Sequence, residues 1–180
     1  MKEAEIVQTE AQRLPVPFTW LNGTDASVDA VLKGMEEHSW VHLACHGIQA
    51  KDPTKSSFLL QDGELELATL MSKSFKHAEI AFLSACQTAT GDEKLPEEAV
   101  HLAAGMLYAG YSSVFATTWS IYDAAAPVVA KEVYRYLLNE LKEGDGIHPG
   151  YALHHAVRKL RQQVGENDFL SWVPFVHFGL

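Results

Sequence analysis

Only two cysteines, Cys45 and Cys86, occur in the 180-residue chain, and neither CxxC nor CxxH spacing surrounds them. This excludes a disulfide framework and a zinc site, and it predicts a reducing, cytoplasmic setting in which a free thiol stays available for chemistry. Basic residues are also scarce: 14 Lys and Arg stand against 23 Asp and Glu, a net charge of −9. Nucleic acid and anionic membrane would each call for a basic patch, so neither is expected as a partner. The one basic cluster, Arg158, Lys159 and Arg161, falls on the solvated face of a helical pattern. No apolar run approaches the roughly 20 residues of a membrane span. Nor does one follow Met1-Lys2-Glu3-Ala4-Glu5, as it would in a signal peptide. The nine histidines include no HExxH and no carboxylate at ligand spacing, so no metal is expected. P-loop, GxGxxG and GxSxG motifs are missing, which leaves nucleotide binding and serine hydrolysis without a foothold and implies no cofactor.

What is present is an ordinary globular composition, 47% apolar and 21% charged, at a length that suits one domain with a sizeable core. Residues 2–12 are charged and weakly patterned and read as the frayed tail of a helix or a linker, broken by Pro15 and Pro17. Val28, Val31, Leu32 and Met35 then recur at helical spacing. Residues 40–45 and 80–85 are short apolar runs with the character of buried strands, and 114–117 form a third. Between the first two, Phe58-Leu59-Leu60 and Glu64-Leu65-Glu66-Leu67 flank Asp62-Gly63, a strong hairpin signal. A helix is predicted from Pro96, with Val100, Ala103, Ala104 and Leu107 on one side. A longer helix follows Asp123, with Val129, Val133, Tyr136, Leu137 and Leu141 in phase. A last helix uses Leu153, Ala156, Val157, Leu160 and Val164, and 175–178 close the chain as a strand. Apolar strands alternating with amphipathic helices predict an α/β fold, a mostly parallel sheet between helices with a small β-hairpin insertion.

Open parallel sheets place functional groups just beyond the carboxyl ends of their strands. Two such ends carry reactive side chains: Cys45-His46-Gly47 after the first strand, and Ser84-Ala85-Cys86-Gln87-Thr88 after the second. If those strands are neighbours, His46 and Cys86 lie about one strand spacing apart, as a nucleophile and its base require. An imidazole beside a thiol favours or generates the reactive thiolate. Gly47 lets its backbone N–H approach a substrate, and with the Cys86 N–H it would hold a tetrahedral oxyanion. Cys45 is read as packing behind the site, with a redox pair to Cys86 as the alternative. His154 and His155 read as core or partner contacts and His148 as an exposed loop residue.

His42-Leu43-Ala44-Cys45-His46-Gly47 and Leu83-Ser84-Ala85-Cys86-Gln87-Thr88-Ala89 resemble the two catalytic motifs of the CHAT family, caspase-like domains often found beside tetratricopeptide repeats. The stretches 95–99, 106–110 and 116–123, and the closing Trp172-Val173-Pro174-Phe175-Val176-His177-Phe178-Gly179, are similar to the same family. The resemblance runs from about residue 18 to the end. It implies a caspase-like α/β/α sandwich over 18–180 that lacks the family's usual N-terminal portion, with 1–17 as a linker or the tail of an upstream element. It further implies cysteine endopeptidase chemistry on a protein or peptide substrate; because unregulated intracellular proteolysis would be harmful, an activating protein partner is expected as well. His46 becomes the base and proton donor, Cys86 the nucleophile, and Gly47 and Cys86 the oxyanion donors. The residue two before the nucleophile lines the S1 pocket in such enzymes, and here it is Ser84, which brings no charge. Asp123 is a second candidate for that pocket, although a helix N-cap is its first reading and one residue could serve both. Asp92 and Glu93 would bias the cleft towards basic peptides or form a solvated loop. The short N-terminal part also motivates a rival expectation, a non-catalytic interaction and signalling module that keeps the fold and its motifs.

Overall fold

Short strands govern the fold in the computed structural model, which describes residues 2–48, 50–84, 86–87, 99–119, 121–122, 124–144 and 146–179, with 2, 86, 87 and 99–101 as backbone alone. Among them the helices are α1 (Lys2–Ala11), α2 (Val28–Glu37), α3 (Leu67–Ser72), α4 (Ala99–Tyr108), α5 (Ala125–Glu143), α6 (Pro149–Val164) and α7 (Phe169–Trp172). The strands are β1 (Trp40–Leu43), β2 (His46–Ile48), β3 (Ser57–Leu59), β4 (Glu64–Glu66), β5 (Ile80–Leu83), β6 (Cys86–Gln87), β7 (Ser113–Thr117) and β8 (Phe175–Gly179). The chain divides into two compact units: Met1–Trp20 with Ile121–His177, and Leu21–Ser120 with Phe178–Leu180.

The second unit carries both motifs. Its larger sheet has the order β1-β5-β7-β8, residues 178–179 of β8 belonging to this unit. β1 and β5 pair in parallel, as do β5 and β7. All four residues of β5 are buried, as are the first four of β7. Such continuous apolar runs suit parallel strands covered on both faces. His42, Phe82 and Phe115 form one row across this sheet, His42 stacked on Phe82 at 4.7 Å and Phe82 tilted against Phe115 at 5.5 Å. The smaller sheet has the order β4-β3-β2-β6, with the β3–β4 hairpin antiparallel as the sequence predicts. Its turn is closed by the Leu60 N–H donating to the Gly63 carbonyl at 2.9 Å. Asp62 Oδ1 accepts from the Val28 N–H at 2.8 Å, which ties the hairpin tip to the start of α2. In α2 the Ser27 hydroxyl caps the Ala30 N–H, while Val31 and Met35 are buried.

Helix α4 packs on β7 and α3. It buries Leu102, Ala103 and Met106, whereas Ala104, expected on the inner face, is exposed. The contact with α3 is tight because α4 presents Gly105: a Cβ there would come within 2.5 Å of Leu67 Cδ2. The helix leads into Gly110 at φ +116°, where a side chain would also crowd the Phe75 carbonyl oxygen at 3.2 Å. Pro96 and Val100's side chain lie outside the described residues.

In the first unit α5 is covered by both α1 and α6. Two neighbours demand a wide apolar face, and α5 supplies one with Ala126, Ala130, Tyr134 and Leu138 beside Val129, Val133 and Leu137. Tyr134 therefore takes the buried position expected of Tyr136, while Leu141, also expected inside, is 45% exposed. Residues 2–11, read from sequence as a frayed tail or linker, are an ordered helix with Val7 and Ala11 buried. The same face buries Glu10, paired with Arg13 at 2.7 Å, and that carboxylate hides the helix's amphipathic pattern from inspection. In α6, Leu153, Ala156 and Leu160 are buried as expected, and Val164 is 38% exposed. The α/β class, the mostly parallel sheet and the small hairpin sheet agree with the sequence.

Candidate active site

Both motif residues sit where a strand of the larger sheet hands over to one of the smaller. After Leu43 the chain passes Ala44 and Cys45 and enters β2 at His46; after Leu83 it passes two residues and enters β6 at Cys86. The crossings are equally long, so register carries through them. Partners differ by 40 in residue number in both sheets, Trp40 with Ile80 and Leu43 with Leu83 in the larger, His46 with Cys86 and Gly47 with Gln87 in the smaller. The Ser84 N–H donating to the Leu43 carbonyl at 3.0 Å continues the pairing into the gap. His46 and Cys86 are thus direct partners on parallel neighbouring strands, whose backbones lie ~4.8 Å apart.

The environment of His46 differs from that of the core strands that lead to it. His46 is exposed and Gly47, which follows it, is buried between Phe58 of β3 and position 87 of β6. Cys45 is a free thiol set largely inside, and burial pushes it up to about 12, far from the range of a reactive thiolate. Ser84 is half-buried at the end of β5. Asp123, Asp92 and Glu93 lie outside the described residues; the N-cap position of α5 falls to Ala124, which has no side chain able to cap.

Register brings two further residues into line with His46 that sequence reasoning treated only as hairpin strand. Leu59 of β3 is the partner of His46, and Glu64 of β4 is the partner of Leu59. Their signal was present in the alternation of the hairpin, where Leu65 is buried between exposed Glu64 and Glu66 and Phe58 is buried before exposed Leu59. The other polar groups singled out from sequence fall in the first unit. His148 is exposed and its ring meets Glu140 Oε1 at 2.9 Å, while His155 lies 3.7 Å from Glu132. Arg158, Lys159 and Arg161 are exposed, with Arg161 over the Trp172 ring at 5.1 Å. Among the described residues no group of three or more His, Cys, Asp or Glu is placed to hold a metal, and no helix is long and apolar enough to cross a membrane.

An aligned histidine and cysteine at a parallel-strand edge can do nucleophilic chemistry on a carbonyl, the imidazole moving the proton and the sulfur forming the bond. Among known families, the model described as CHAT domain matches residues 2–180. No curated protein matches the chain.

Proposed function

The chain belongs to the CHAT domain family, which is caspase-like, and on that premise we propose that it is a cysteine endopeptidase cutting a protein partner through His46 and Cys86. The observation that carries this is the register of β2 with β6, in which the two residues are direct partners. Cys86 attacks the scissile carbonyl as its thiolate, and His46 takes the thiol proton and delivers it to the departing amine. Water then displaces the acyl group from sulfur with His46 as base. The backbone N–H groups of Gly47 and Cys86 are the oxyanion donors of this scheme. Ser84 lines the P1 pocket without supplying charge, and Asp123 is the carboxylate available to favour a basic P1 residue. The enzyme works in a reducing, cytoplasmic setting, needs no cofactor, and depends on an activating protein partner rather than nucleic acid or membrane.

The test is intact mass after exposure to peptidyl acyloxymethyl ketones with varied P1 residues, for wild type and His46→Ala. Labelling of Cys86 that depends on His46 and on P1 is the expected result. A folded, monodisperse protein left unlabelled by the whole panel would sink the proposal and favour a non-catalytic interaction module.

A further inference from the structure

His46 stands in a row. Cys86 of β6 aligns with His46 of β2, His46 with Leu59 of β3, and Leu59 with Glu64 of β4. Positions in register share one face of a sheet. This row is open: His46 and Glu64 are exposed and Leu59 is 37% exposed. The alternate row, Gly47, Phe58 and Leu65, is buried. Glu64 is held in place by the hydroxyl of buried Ser57, which donates to Oε2 at 2.8 Å. An apolar side chain and a fixed carboxylate therefore follow His46 in order, on the flank away from Cys86.

Peptide cleavage gives the row a direction. The sulfur of Cys86 bonds to the carbonyl carbon, and the carbon–nitrogen bond breaks as His46 hands a proton to the amine. The acyl group stays on sulfur until water releases it as a carboxylate and returns the proton to the dyad. Sulfur, carbonyl carbon, amide nitrogen and imidazole thus succeed one another from Cys86 towards His46. A polypeptide runs in that same sense, from a residue's carbonyl carbon to the next residue's nitrogen. The residues after the scissile bond therefore depart over His46, Leu59 and Glu64.

Building on the cysteine-peptidase reading above, we propose that Leu59 and Glu64 are specificity residues for the primed side of the substrate. They select an apolar residue followed by a basic one. Strand spacing of ~4.8 Å against ~3.3 Å per extended residue puts Leu59 near about the second or third primed residue and Glu64 near about the fourth. The substrate class is a protein segment with an apolar residue and then a Lys or Arg shortly after the cut.

The experiment has two arms on the whole chain. Acyloxymethyl ketones carry no primed peptide, so labelling of wild-type Cys86 tests the dyad alone. The second arm fixes the unprimed residues to the most reactive ketone sequence and randomises four primed positions, with products read by mass spectrometry. Wild type should prefer Lys or Arg over Glu near the fourth primed position by about fivefold, the scale of an exposed ion pair. Glu64→Lys should invert that preference. Glu64→Gln, which keeps an acceptor for Ser57, should erase it, and Leu59→Asn should weaken the apolar preference by about tenfold. Labelling without a primed preference, or with one these substitutions leave unmoved, overturns the proposal while the dyad stands. Neither labelling nor cleavage means that the dyad reading has failed, and this inference falls with it.

Discussion

Two strands of the larger sheet of the second unit, β1 and β5, each continue after two residues into a strand of the smaller, β2 and β6, yet the two sheets are buried differently. In the larger sheet β5 is buried along its whole length and β7 nearly so. In the smaller, burial alternates along β2 and β4: His46 out and Gly47 in, Glu64 out, Leu65 in, Glu66 out. A strand covered on both faces contributes packing, and a strand covered on one contributes packing with one row and chemistry with the other. The two-residue crossings at 44–45 and 84–85 let the rigid sheet dictate the register of the open one. The alignment of positions 46 and 86 thus follows the register set at Trp40–Ile80, at the far end of β1 and β5.

Substitutions that hit one sheet and not the other sharpen this contrast. The largest effect on activity belongs to His46→Ala, expected to lower the rate of Cys86 labelling or peptide cleavage by at least about 10³-fold. Because His46 is exposed, unfolding free energy in urea should change by no more than ~0.5 kcal/mol. A marked loss of stability in this variant would break the division of labour. Phe82→Ala is the converse. Phe82 is 3% exposed and sits between the rings of His42 and Phe115, so its truncation should cost about 3–5 kcal/mol in urea unfolding. Activity should disappear with the fold, along one melting curve.

A smaller effect is expected at Gly110, which supports the larger sheet from the turn between α4 and β7. Its φ of +116° and the Phe75 carbonyl 3.2 Å from a notional Cβ predict that Gly110→Ala costs about 1–3 kcal/mol, read again in urea. An unchanged midpoint would show that the turn relaxes freely.

The same division explains what was legible in the sequence. Strands buried on both faces announce themselves as apolar runs, which makes β5 and β7 legible from composition; β1, half-buried except at Leu43, is legible from its own short apolar run, and the hairpin from Asp62-Gly63. The re-pairing of the chain into a second sheet was not legible, because β2 and β6 are three and two residues long and no periodicity fits in that length. Helices α3 and α7, of six and four residues, escaped for the same reason, and α1 because Glu10 occupies its buried face. For the candidate site, the alignment of positions 46 and 86 could be inferred from two apolar runs ending in like fashion. Leu59 and Glu64 could not, since their nearness to His46 arises only when the hairpin adds to β2.

The smallest effect is expected of Cys45→Ala, although Cys45 is the immediate neighbour of His46. Its thiol is pushed up to about 12 by burial, from an ordinary 9.0. A group whose folded value is raised lends stability that is fully present below its unfolded value and is lost as pH climbs towards the folded one. Here that window opens above about pH 9 and closes near 12, outside the range in which a cysteine peptidase would be assayed. Around neutrality the thiol stays protonated and acts as a small apolar side chain, so its removal should change the rate of Cys86 labelling by less than about twofold. The check is a Cys86→Ala protein, in which Cys45 is the one thiol remaining. Iodoacetamide should spare it in the native state at pH 7.5 and modify it in urea. Rapid native modification would place a second reactive sulfur at the site and reopen a redox pairing between the two cysteines.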